Sequence, residues 1–279
     1  MILFDTLSEE DKVRRINEAD ALYRRIRNGQ QPEADTSSLD DSVQRLLEVA
    51  HGAHYQVLET TDPNPRIVLI GCPYKKYEDS GTEKEDPLFP YGVHFLKELL
   101  RYLWPKNQLV LEGTTHEQVY ESEFMEAKLD QAIHGTTLDL PEKKRIHPHA
   151  AAELLTYLRD MLIQYHHGFN GNDSLELLQQ ENAAWNLADA LKETHRRSQS
   201  QWAADSEIKR TLLLCYTTMA ERLQRYIAPY LADLADKAEP GTRVYMAVRM
   251  VPLVFGEITA ALQERGKGYI SLVPARKAP

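Results

Sequence analysis

Arg66-Ile67-Val68-Leu69-Ile70-Gly71, running on into Cys72-Pro73-Tyr74-Lys75-Lys76-Tyr77, is the stretch that decides the fold. Four consecutive aliphatic residues, three of them β-branched, are too short a run for a helix and read as a strand buried on both faces. Strands of that kind belong to parallel sheets, and Gly71 marks the release of the chain into a loop at the strand's carboxyl end. Upstream, Asp62-Pro63-Asn64-Pro65 separates this strand from what precedes it.

Downstream, the long acidic segment from Cys72 to Pro90 reads as a loop, and Tyr91 to Leu103 as a helix with Val93, Leu96, Leu100 and Leu103 on one face. Gln108 to Glu112 is the next strand. Strand, crossover helix and strand make a β-α-β unit, right-handed in nearly all proteins, with loop residues at the sheet's carboxyl edge. From Thr115 to about Lys237 the pattern is helical, broken at Gly135 to Pro148, at Gly168 to Asp173 and at Pro229. Within it, Ile208, Leu212, Cys215, Met219, Leu223 and Tyr226 repeat every three or four positions as a core stripe. After Glu239-Pro240-Gly241 the strand pattern returns at Arg243 to Val248, then a short helix from Gly256 to Gln263 and a last strand from Tyr269 to Val273. The expected sheet has at least four strands.

Before the first strand, Ser8 to Arg27 reads as a charged amphipathic helix with Val13, Ile16 and Tyr23 at roughly helical spacing and a capping pair in Ser8 and Asp11. Gly29 to Ser38 is linker, and Leu39 to His51 a second helix. The organisation expected is one α/β domain over 1–279: a helical N-terminal extension over 1–62, and over 63–279 a Rossmann-like parallel core with a large helical insertion.

Composition narrows the function classes. At 279 residues, 42% apolar and 27% charged, the chain has ordinary globular composition and buries a sizeable core. A net charge of −9 argues against nonspecific binding to double-stranded DNA, which requires many cations against phosphates. It leaves room for a local basic strip on one small RNA. Two cysteines build neither a disulfide framework nor a multi-thiolate zinc site. Met1 to Asp5 lacks a basic leader region, and no apolar run approaches the roughly 18 residues of a membrane span. A cytoplasmic protein is expected.

The chemistry-bearing candidate is Cys72, a thiol placed where the first parallel strand meets the binding edge. Lys75 and Lys76 beside it favour the thiolate, the form that attacks carbonyls. The plainer reading makes Cys72 a small filler at a strand end. Cys215, on the apolar stripe, reads as an inert core residue. His147 with His149, and His166 with His167, lack the spacing of a helical zinc pair, so no metal site is expected. Glu112, ending the second strand, either binds a substrate amine or meets the start of the next helix.

Ile70-Gly71-Cys72-Pro73-Tyr74-Lys75-Lys76-Tyr77 resembles the catalytic loop of the tRNA-dependent cyclodipeptide synthases, in which a strand and glycine lead into a nucleophilic serine. Tyr245-Met246-Ala247-Val248-Arg249-Met250-Val251-Pro252 resembles that family's later strand, with a tyrosine and, four residues on, a glutamate. The sequence departs from the family pattern in several places. Its loop is one residue shorter, cysteine replaces serine, Lys75 replaces an asparagine, Arg249 replaces the glutamate, and Ile270 follows Tyr269 where a histidine is expected. The resemblance implies a fold like the class I aminoacyl-tRNA synthetase catalytic domain, without an ATP signature or any cofactor. It implies Cys72 as nucleophile and Tyr245 as substrate positioner, with Gly71, Tyr74, Lys75, Tyr77, Glu112, Arg249 and Tyr269 around the substrate.

The implied reaction moves an aminoacyl group from one tRNA to Cys72, joins it with that of a second aminoacyl-tRNA as a dipeptidyl enzyme, and releases a cyclic dipeptide. Lys143-Lys144-Arg145, Arg196-Arg197 and Lys209-Arg210 are the cationic candidates for tRNA phosphates, with solvated helix faces as the alternative. Glu78, Asp79, Glu83, Glu85 and Asp86 suit a cationic aminoacyl group, and a fungal branch of the family uses arginyl-tRNA. Two other readings stand beside this one. The strand order with Glu112-Gly113 also resembles the TraB and ChaN group of metal hydrolases, although Tyr74 occupies the position of its Gly-x-x-His histidine. The third is a noncatalytic α/β binding protein.

Overall fold

The computed structural model describes residues 4–72, 76–79, 82–85, 108–111, 206–275 and, between 177 and 191, residues 177, 180, 181, 183–185, 187, 188, 190 and 191. They form a mixed α/β fold around a five-stranded, mostly parallel sheet. The strands are β1 (Tyr55–Thr60), β2 (Ile67–Cys72), β5 (Gln108–Leu111), β6 (Val244–Arg249) and β7 (Tyr269–Pro274). A separate two-stranded ribbon consists of β3 (Lys76–Asp79) and β4 (Thr82–Glu85). The main sheet has the order β1-β7-β2-β6-β5, with β1 antiparallel to β7 and the other pairs parallel.

β2 is the middle of the sheet, and its composition explains why. Ile67, Val68, Leu69 and Ile70 are all fully buried, which only an interior strand covered on both faces provides. On one face Ile67, Leu69, Val244, Met246, Val248, Tyr269 and Val273 share a core with the helices. By strand alternation the other face carries Val68, Ile70, Tyr245, Ile270 and Leu272, all buried.

The helices are α1 (Glu9–Arg27), α2 (Asp41–Gly52), α3 (Ser206–Arg222), α4 (Ala228–Lys237), α5 (Met250–Phe255) and α6 (Glu257–Glu264). Ser8 caps α1 as expected: its side chain accepts the Asp11 amide. α2 buries Val43, Leu46, Leu47 and Ala50, the i, i+3, i+4, i+7 pattern of an amphipathic helix, and packs against β1. Between α3 and α4, Leu223–Ile227 forms a π-helical turn. Pro229 has no N–H and its ring crowds the carbonyl four residues back, which the wider turn relieves.

Four expectations need correction. The segment 1–62 is not wholly helical, because Tyr55–Thr60 is an edge strand of the main sheet. Its buried Tyr55 and Val57 alternate with half-buried neighbours, a short period-two signal hidden behind the stronger break at Asp62-Pro63. The acidic stretch after Cys72 contains the β3–β4 ribbon, whose strands are separated by Ser80-Gly81, a turn-forming pair. The first two parallel strands are not neighbours, since β6 lies between β2 and β5. Finally, the core stripe on α3 does not run on to Tyr226: the π turn advances the register and Ile227 is buried instead. The helix expected over 91–103, most of the helical middle and the position of Glu112 lie outside the described residues.

Gly71 shows how tightly α5 lies on the sheet. A Cβ there would stand 2.5 Å from the Met250 sulfur and 3.0 Å from a Leu253 methyl. Gly71→Ala should lower unfolding free energy by about 1–3 kcal/mol, the usual cost of overpacking. Because the Met250 side chain is the nearer obstacle, Met250→Ala in the same chain should cost less than the two single changes added together. Urea denaturation of the two single variants and the double variant measures both effects.

Candidate functional site

β2 and β6 end side by side, and the chain leaves them in opposite directions. After β2 it reaches β5 on the far side of β6, and after β6 it crosses β2, by way of α5 and α6, to reach β7. Connections that leave neighbouring strands in opposite directions mark the carboxyl edge at which α/β sheets take their ligands. The residues in register at that point are Cys72, last of β2, and Arg249, last of β6. Being paired across parallel strands, they project from the same face.

Cys72 is partly exposed and forms no disulfide; its thiol lies 3.7 Å from the Ile70 carbonyl, a weak contact. The peptide before it is anchored from the sheet edge, where the buried Tyr55 hydroxyl donates to the Gly71 carbonyl at 2.8 Å. Gly71 itself faces α5 and shapes the site by letting that helix approach rather than by presenting a group to a ligand.

Arg249 is 8% exposed, and its charge is held in a buried network. Its Nη2 donates to Glu181 Oε1 at 2.9 Å, and Arg222 Nε donates to Glu181 Oε2 at 2.7 Å. Glu181 is fully buried between the two guanidinium groups. The network ties the end of β6 to the last residue of α3 and to the helical segment carrying Glu181. In the sequence, Gln179-Gln180-Glu181-Asn182 reads as a solvated polar run, so nothing local marks Glu181 as a buried charge. Arg249 therefore belongs to an internal ion-pair network beside the thiol.

Among the described residues, the two expected strand tyrosines do not reach this edge. Tyr245 lies on the face that carries Cys72 but four residues before Arg249, about 13 Å down the strand, and it is fully buried. It and the Cys72 thiol cannot grip one small acyl group. Tyr269 is the first residue of β7 and pairs with Ile67, which puts it at the opposite, amino edge of the sheet. There its hydroxyl accepts from Gln263 at 2.8 Å, and burial, reinforced by Glu59, pushes its pKa up to about 12. Periodicity identifies both tyrosines as strand residues, but only strand direction and register reveal their distance from Cys72.

Tyr77 stands opposite Lys84 in the ribbon, and Glu78 opposite Glu83. Lys209 and Arg210 are exposed near the start of α3. Tyr74, Lys75, Glu112, Lys143, Lys144, Arg145, Arg196 and Arg197 lie outside the described residues. Cys215 is fully buried with Ala184 and Ala188, in keeping with an inert core position. Among the described residues no group of three or more His, Cys, Asp or Glu side chains is placed to hold a metal ion, and no helix is long and apolar enough to cross a membrane.

The Glu181 network is the most sensitive point of this edge. Glu181→Gln would leave two buried guanidinium groups facing a neutral amide, and removing one partner from a buried ion pair costs about 3–5 kcal/mol. Guanidinium denaturation should show a loss of that size, against a much smaller one for Glu9→Gln on the exposed first turn of α1.

No family model, no curated protein and no solved structure matches this chain.

Proposed function

We propose that the chain is an acyl transferase in which Cys72 accepts the acyl group, and in its specific form a tRNA-dependent cyclodipeptide synthase. The observation that carries the reading is the partly exposed Cys72 thiol at the end of the central parallel strand, beside Arg249 and at the divergence of two crossovers. A neighbouring cation favours the thiolate, and the carboxyl edge of a parallel sheet is where a substrate would lie. The Rossmann-like, synthetase-related character of the core is part of the same proposal, supported by four parallel strands with the chain's first parallel strand in the interior.

In this mechanism the Cys72 thiolate attacks the ester carbonyl of an aminoacyl-tRNA. The carbon–sulfur bond forms, the bond to the tRNA ribose oxygen breaks, and that oxygen leaves with a proton as the free hydroxyl. Because the ester is already activated, no nucleotide cofactor enters. The amine of the thioester-bound residue then attacks the ester carbonyl of a second aminoacyl-tRNA, releasing that tRNA's ribose hydroxyl and leaving a dipeptidyl thioester. The new terminal amine attacks the thioester carbonyl, the carbon–sulfur bond breaks, and the cyclic dipeptide leaves as the thiol is restored. Tyr245, fully buried about 13 Å down the strand, does not take part in holding the first carbonyl. Arginine as one of the joined amino acids fits the acidic β3–β4 ribbon that follows Cys72. The tRNA contacts proposed are Lys209 and Arg210, both exposed, with the clusters at 143–145 and 196–197.

A second reading, a noncatalytic α/β binding protein, is favoured by one observation. The charged residue nearest the thiol in the sheet register is bound into the Glu181 network.

Intact-protein mass spectrometry after incubation with a mixture of charged tRNAs separates the two. The acyl-transfer reading expects an aminoacyl mass on the peptide containing Cys72, diketopiperazines in solution, and neither with Cys72→Ala. A wild-type chain that gains no acyl mass and yields no cyclic dipeptide would leave the binding protein as the better account.

A further inference from the structure

At the carboxyl edge one backbone hydrogen bond of the sheet is replaced by a side chain. β2 and β7 pair from Ile67↔Tyr269 to Ile70↔Leu272. On β7 the odd-numbered residues turn to β1, since the Tyr269 carbonyl takes the Thr61 N–H and the Ala275 N–H donates to the His54 carbonyl at 2.7 Å. The even-numbered residues therefore turn to β2. Continued by one step, the ladder would bring the N–H of residue 274 to the Gly71 carbonyl, but that residue is proline and has no N–H. The Tyr55 hydroxyl, reaching across β7 from β1, donates to this carbonyl instead, at 2.8 Å.

Register sets Tyr55 level with the thiol. Tyr55 pairs with Pro274, the β7–β2 register carried on by two residues places Pro274 against Cys72, and Cys72 pairs with Arg249. The four residues form one row across the sheet, and side chains of one row leave from the same face. The peptide between Gly71 and Cys72 is held from both sides, its carbonyl by Tyr55 and its N–H by the ladder to β6, which runs through Cys72. A hydroxyl at the end of a side chain lets β2 and β7 part after Leu272 while the buried carbonyl keeps a donor.

We infer that Tyr55 is a positioning residue of the carboxyl-edge site: by replacing the hydrogen bond that Pro274 withholds, it fixes the peptide leading into Cys72 and so the direction of the thiol. The assignment rests on the reading of Cys72 as the acyl acceptor. Tyr55 is 1% exposed and acts through the backbone of β2 rather than on a substrate. Without its hydroxyl, the Gly71 carbonyl turns to find another donor and carries the thiol out of line with Arg249.

Tyr55→Phe removes the hydroxyl and keeps the ring, and adding Pro274→Ala to the same chain offers a backbone N–H in its place. Iodoacetamide alkylation of Cys72 in the whole chain, read by mass spectrometry of the peptide that carries it, should slow about fivefold with Tyr55→Phe, roughly the weight of one hydrogen bond, and return to within about twofold of wild type when Pro274→Ala is added. With charged tRNA as acyl donor, the same fall should appear in kcat with KM unchanged. An alkylation rate unchanged by Tyr55→Phe, or a fall that Pro274→Ala does not reverse, overturns the assignment. If alkylation follows the expected pattern while the wild type takes no acyl group from tRNA, the positioning role stands and the acyl-transfer reading falls. Should Tyr55→Phe fail to fold, the double variant decides: folding and alkylation restored by Pro274→Ala support the role, and a chain that stays unfolded overturns it.

Discussion

Hydrogen bonding of β2 on both of its edges, with burial on both of its faces, is the constraint from which the rest of the molecule follows. Ile67 to Ile70 are stable in that position because every side chain leaves water, each contributing about 1.5–3 kcal/mol, and because both ladders satisfy the backbone. An interior strand needs cover above and below. α5 supplies part of it on one side, so close that a methyl group at residue 71 would have to displace the Met250 side chain. Parallel pairing with β6 then aligns Cys72 with Arg249, and that alignment defines the candidate site.

Buried charge is used twice in this architecture, with different partners. At the carboxyl edge Glu181 lies between two arginines, joining the end of β6 to α3. At the α1 junction Glu257 has one arginine, itself partly exposed, and one neutral amide. A carboxylate held by a guanidinium group on each oxygen is fixed from both sides. One with a single, partly solvated cation is held less firmly in its charged form, which is why burial dominates and raises its pKa. The first joint ties the end of β6 to α3, and the second ties α1 to the start of α6.

Local signals were legible wherever a residue's role depends on its near neighbours. Ser8 with Asp11 marks the start of α1, the aliphatic run marks β2, and the spacing of Ile208, Cys215 and Met219 marks the inner face of α3. The weaker signals were overshadowed by stronger punctuation. Tyr55–Thr60 alternates over too few positions to stand out beside Asp62-Pro63, and the π turn displaces the end of a stripe that looks regular in the sequence.

The amino-acid sequence by itself determined the α/β class, the buried strand ending at Gly71 and Cys72, the returning C-terminal strands and the place of Cys215 in a core. Each follows from patterns within one element, because side-chain period and turn chemistry are local properties. Tertiary structure alone decided that β6 separates β2 from β5, that Tyr245 and Tyr269 lie away from Cys72, and that Arg249 meets Glu181. Those relations join residues far apart in the chain, and strand order, direction and register are set by packing whole elements together, a quantity that no short stretch of residues carries.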